Sequence, residues 1–185
     1  MLNDHTLLSC ATRDEWRAWL EAHHAQAAEA WLVIYKTGPR KTALTLADAQ
    51  AEALCFGWVD VMNKRLDEDR YALRFTPRKP GSAWSISNIR RVEQLIEAGL
   101  MTAAGLRKIT EAQQNGQWEL ALQVEQTDRI PEDLARALRQ KKGALDGYRH
   151  LPRSRRRQIL RSLLSVKSAE TRQRRIVAIV QEVMP

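Results

Sequence analysis

Cysteine is scarce in this chain: two occur, Cys10 and Cys55, without the short spacing of a zinc or iron–sulfur site. Cys55 sits in the apolar run Ala53-Leu54-Cys55-Phe56 and reads as a buried thiol in a reducing compartment. Of the four histidines, His23 and His24 are adjacent and diverge on a helix, while His5 and His150 lie far off in sequence. No HxxxH, HExxH or CxxC spacing occurs, so no metal and no cofactor are expected. Glycine-rich phosphate loops are missing too; Thr102-Ala103-Ala104-Gly105 is helix-capping chemistry. No apolar run approaches the roughly 20 residues that span a bilayer. Met1 to Thr12 lacks a basic stretch followed by an apolar one, so no secretory signal is read and a cytoplasmic location is expected.

What is present is a core-forming composition with an uneven charge. Hydrophobic residues make up 44% of 185, enough to bury a core, and six Trp against two Phe supply large aromatic anchors. The net charge of +8 is confined to one end. Residues 1–128 hold 15 Lys and Arg against 17 Asp and Glu, a net of −2; residues 129–185 hold 15 against 5, a net of +10. Such asymmetry points to an anionic partner, nucleic acid or an acidic surface, or else to a solvated helical face.

The periodicities predict an α+β body over residues 1–117, a connector over 118–128 and a basic all-helical segment over 129–185. Thr12 caps a first helix in which Trp16, Trp19, Leu20 and His23 recur at helical spacing. Trp31 to Lys36 is a core strand, followed by a Gly-Pro loop at 37–41. Leu46 to Phe56 is helical, and Gly57 stops it. Trp58 to Arg65 and Arg70 to Thr76 form a hairpin through a four-residue turn. The sheet is therefore small, antiparallel or mixed. A helix with Ile89, Val92 and Ile96 on one face runs to Gly99, and Thr102 caps another that ends at Gly116. Helices beginning near Pro131, Ala144, Pro152 and Ala169 complete the chain.

One constellation stands out for chemistry. The hairpin register sets 60 near 75, bringing Asp60 towards Arg74 or Arg78, with Trp58 two residues away. Ser82, Trp84, Ser85 and Asn88 follow at a helix start. A carboxylate, guanidiniums, hydroxyls and indole walls suit a small anionic or planar ligand. The same residues also fit a structural ion pair, two N-caps and core tryptophans. No histidine is near in sequence, so no catalytic residue is assigned; an enzyme using Asp60 as acid or base is the alternative. In the basic segment, Arg153, Arg157 and Arg161 share one helical face, and Arg172 and Arg175 follow on the next helix. They form a candidate anion-binding surface for nucleic acid or an acidic surface, without the interleaved aromatics of single-strand binders.

Several blocks resemble a known family. Glu52-Ala-Leu-Cys-Phe-Gly-Trp-Val-Asp60, Arg74-Phe-Thr-Pro-Arg-Lys-Pro-Gly-Ser-Ala-Trp-Ser85 with Asn88, and Gly99 to Gly105 resemble the YdeI/OmpD-associated, or bacteriocin-protection, proteins. Ile130 to Leu138 and Val166 to Arg175 look like that family's C-terminal helical domain. Val166-Lys167-Ser168-Ala169 departs from the family's usual Ala-Lys-Arg-Pro, as do Val61 and Met62 after the aspartate. The resemblance implies a bacterial stress protein linked to tolerance of cationic antimicrobial peptides, with no established reaction, cofactor or catalytic residue. Together the readings predict a non-enzymatic cytoplasmic stress-tolerance protein that binds a small anionic or planar ligand. The other function class is a nucleic-acid or acidic-surface module using the basic helices.

Overall fold

The computed structural model describes residues 7–36, 44–126 and 129–184. The loop expected at 37–41 lies outside them. The chain is α+β and divides into two compact units, the first running to Ser82 and from Ser87 to Asn115, the second taking Ala83–Ile86 and the chain from Gly116 onward.

The first unit is built on a four-stranded sheet of order β1-β2-β4-β3. Its strands are β1 (Leu7–Leu8), β2 (Ala30–Tyr35), β3 (Trp58–Arg65) and β4 (Arg70–Pro77). β1 lies parallel to β2 and the other pairs are antiparallel, so the sheet is mixed. In β2 and β4, Ala30, Leu32 and Ile34 lie opposite Phe75, Leu73 and Tyr71, giving one face of alternating apolar residues. Helix α1 (Arg13–His23) covers that face: Trp16 is fully buried, its ring 5.3 Å from that of Phe75. Thr12 caps α1 by accepting from the Glu15 amide, as its sequence predicts.

Helix α2 (Leu46–Cys55) follows, capped by Thr45, and Gly57 at φ +75° turns the chain into β3. Helices α3 (Ile86–Glu97) and α4 (Ala103–Gln114) come after the hairpin. On α3, Ile89, Val92 and Leu95 are buried while Ile96 is about half exposed, so the inward stripe turns onto Leu95 in place of Ile96. Gly105 lets α4 close on α2: a Cβ there would sit 2.3 Å from the Cys55 carbonyl oxygen. The Thr102 amide and hydroxyl both donate to that same oxygen, at 3.2 and 2.6 Å.

The second unit is all-helical beyond Gly116, with α5 (Gln117–Glu125), α6 (Glu132–Arg139), α7 (Ala144–His150), α8 (Arg153–Leu164) and α9 (Ala169–Val183). Most of the stretch expected as a connector is helix α5. Gly116, at φ +78°, ends α4 and starts α5 without a side-chain cap, so no start signal marks it; Leu120, Ala121 and Val124 bury its inner face. Leu134, Leu138, Tyr148, Ile159, Leu163, Ile176 and Val183 form the core, each worth about 1.5–3 kcal/mol of apolar burial if fully shielded.

Gly147 is where α7 meets α9, and a Cβ there would sit 2.0 Å from the Val183 carbonyl oxygen. In an exposed helix a Gly→Ala change gains helix propensity. Here the sign reverses: Gly147→Ala should destabilise the protein by about 2 kcal/mol, read as a lowered denaturant midpoint.

Candidate functional site

The hairpin register places Asp60 opposite Phe75, and an irregularity between Asp60 and Met62 shifts the pairing so that Met62 faces Arg74. Directly opposed residues share a face, so Asp60 and Arg74 point to opposite sides of the sheet. The expected approach of Arg74 to Asp60 is therefore corrected. The Arg74 guanidinium binds the Glu29 carboxylate, its Nε donating at 2.8 Å, and lies over the Trp31 ring at 5.9 Å. That bond holds the Glu29 carboxyl below its usual range.

Asp60 is instead joined to α2 and α3. Gln50 Nε2 donates to Asp60 Oδ2 at 3.1 Å, and Arg91 Nη1 donates to Gln50 Oε1 at 3.0 Å. The chain Arg91–Gln50–Asp60 orients the carboxamide from both ends. Arg78 completes the group: it is 3% exposed, its amide donates to the Gly57 carbonyl at 2.9 Å, and it feels the Asp60 charge. Burial nonetheless pushes its guanidinium down to about 10, against the upward pull of Asp60. The first unit thus links one guanidinium, one carboxamide and one carboxylate in a chain, with the buried Arg78 feeling the Asp60 charge. Sequence reasoning found Asp60 and Arg78 but missed Gln50 and Arg91, whose only linear signal is an outward helical position.

The other predicted pocket residues take separate places. Trp58 is buried, its Nε1 donating to the His24 carbonyl at 3.2 Å and its ring meeting Trp19 edge-on at 6.0 Å; it is core, without an open face for stacking. The Ser82 amide donates to the Lys79 carbonyl within the turn. Trp84 and Ser85 belong to the second unit, where the Trp84 ring lies 5.3 Å from Trp118 and its carbonyl accepts from Arg161. Asn88 lies in α3 of the first unit.

A second charged group went unread in the sequence. Glu52, on α2, is 1% exposed and accepts from Arg13 Nε at 2.5 Å and Arg17 Nη1 at 2.8 Å. Arg17 also donates to the Leu100 carbonyl and lies over the Phe56 ring at 5.4 Å. Cys55 beside it is raised to about 11, first by burial and then by the Glu52 charge, so its thiol stays protonated and inert.

The basic segment spends its arginines internally. Arg153 and Arg157 both donate to Glu125 Oε1 at 2.7 Å, tying α8 to α5. Arg172 grips Asp133 at 2.6 and 3.0 Å and donates to the Leu163 carbonyl, and Arg175 donates to the Ser162 carbonyl. All five arginines of the candidate anion surface, Arg161 included, therefore bond to acceptors of their own unit. Among the described residues no three His, Cys, Asp or Glu side chains gather as metal ligands, and no helix is long and apolar enough to cross a membrane.

Residues 8–108 match the family described as a domain of unknown function (DUF8412). Residues 129–184 match the family described as bacteriocin-protection, YdeI or OmpD-associated. No curated protein and no solved structure matches the chain.

Two predictions follow from the ion pairs. Glu52→Gln should cost about 3 kcal/mol of stability by chemical denaturation, at the low end for a buried pair because both guanidiniums keep contact with solvent. In the second unit, the Arg172 hydrogen bond lowers the Asp133 carboxyl. A depressed carboxyl stabilises above its unfolded value of about 3.9 and loses that contribution as pH falls through the folded one. The stability gap between the native protein and Asp133→Asn should be open at neutral pH and close on acidification.

Proposed function

The chain belongs to the DUF8412 family and carries a bacteriocin-protection, YdeI or OmpD-associated domain, and we propose that it serves bacteriocin tolerance by binding a small anion in its first unit. The observation that carries the reading is the Arg91–Gln50–Asp60 chain beside the buried Arg78. The Arg91 guanidinium is half-buried and turns its Nη1 to a neutral carboxamide, which leaves its charge to be answered by a small anion.

The protein acts in the cytoplasm, as its two free thiols suit a reducing compartment, and as a binding protein without catalysis. Its contribution to tolerance is indirect. A cationic peptide is repelled by the basic second unit, so capture through that unit is disfavoured. Nucleic-acid binding is supported less well, because the arginines best placed for phosphates already hold carboxylates and carbonyls.

The test is survival of bacteria challenged with a cationic bacteriocin, with the chain absent, supplied, or supplied as Arg91→Ala. The native chain should raise survival, and Arg91→Ala should lose most of that protection while keeping a native circular dichroism spectrum. Equal protection by the folded variant contradicts the proposal, and so does the absence of protection by the native chain.

A further inference from the structure

The second unit is completed by a short segment from far upstream. Ala83–Ile86 belongs to it, while Ser82 before and Ser87 after belong to the first unit. One side chain anchors the segment. Trp84 is buried, its ring lies 5.3 Å from that of Trp118 on α5, and its carbonyl accepts from Arg161 on α8. Leu120, Val124 and Leu160 pack together on the same two helices. A buried tryptophan whose main chain is gripped by an arginine is a common way to anchor a non-helical segment in a groove.

The chain reaches that groove through a single turn. Helix α4 ends at Gln114 and α5 begins at Gln117. Between them, Asn115 has φ −92° and ψ 5°, on the right-handed side of the map, and Gly116 has φ +78°. Bringing Gly116 to helical torsions would run α4 on into α5 and carry the α5–α8 groove away from the Trp84 of the same chain. The contacts of Trp84 with Trp118 and Arg161 are the same whichever copy supplies the tryptophan. We propose that the α5–α8 groove also accepts Ala83–Ile86 of a second copy, in a reciprocal dimer in which each chain lends Trp84 to the other and Gly116 is the hinge. A tethered segment is present at an effective concentration on the order of millimolar, so the closed single chain prevails in dilute solution and the dimer grows with protein concentration.

The experiment is light scattering on the whole chain, fractionated by size over a rising concentration series. A Cβ at position 116 meets nothing within 4 Å among the described residues, so Gly116→Ala adds only the strain of a positive φ. The straightened hinge releases that strain, and Gly116→Ala should dimerise at a concentration at least about tenfold lower than the native chain. Mixing identifies the exchange. Trp84→Ala keeps the groove and lacks the anchor, whereas Arg161→Ala keeps the anchor and weakens the groove. Incubated together, the two variants form an intact groove only by exchange, so the mixture should hold more dimer than either variant alone. A mixture with no more dimer than its separate components overturns the proposal. Gly116→Ala that dimerises no more readily than the native chain overturns it too, and that readout decides where Trp84→Ala does not fold.

Discussion

The first unit depends on a carboxylate that water barely reaches. Glu52 projects from α2 onto two guanidiniums of α1, and its charge is tolerable only because Arg13 and Arg17 approach it from two sides. What that bond fixes is the position of α2. The end of α2 presents the Cys55 carbonyl to Thr102 and closes on Gly105, which seats α4. Gly57, two residues on, starts β3 and accepts the Arg78 amide. Two residues before Glu52, Gln50 reaches Asp60. The helix that carries the clamp thus carries the candidate site, and a shift in one moves the other.

Positive charge is used differently in the two units. In the second, several arginines act as ties: Arg153, Arg157, Arg172 and Arg175 bridge to carboxylates or to carbonyls near a helix end, and part of the composition that reads as a nucleic-acid surface becomes the means of joining short helices. Glu125 alone receives two of them, as residues 116–185 hold eight acidic residues against 15 Lys and Arg. In the first unit, Arg91 donates to the neutral Gln50 carboxamide, and Gln50 in turn donates to Asp60.

Much of this was legible in the linear pattern. Thr12 and Thr102 announce their helices because a hydroxyl at an N-cap is a local interaction that needs no tertiary partner. The hairpin followed from alternation and a four-residue turn, and its register set Asp60 opposite Phe75. Arg74 was misassigned because an irregularity at Val61, invisible to alternation, and the flanking strand β2 decide which acid it meets. Helix α5 was missed because Gly116 supplies no capping side chain and only packing holds the segment helical. Gln50, Arg91 and the partners of Glu52 come from helices distant in sequence, and no local signal links them.

The account turns on the Gln50 side chain being held between Arg91 and Asp60 and answering an anion placed beside it. Nuclear magnetic resonance of the Gln50 side-chain amide reads this directly. Two resolved, slowly exchanging amide protons that shift when acetate is added are the predicted result. A rapidly exchanging amide with averaged shifts, indifferent to acetate, would contradict it.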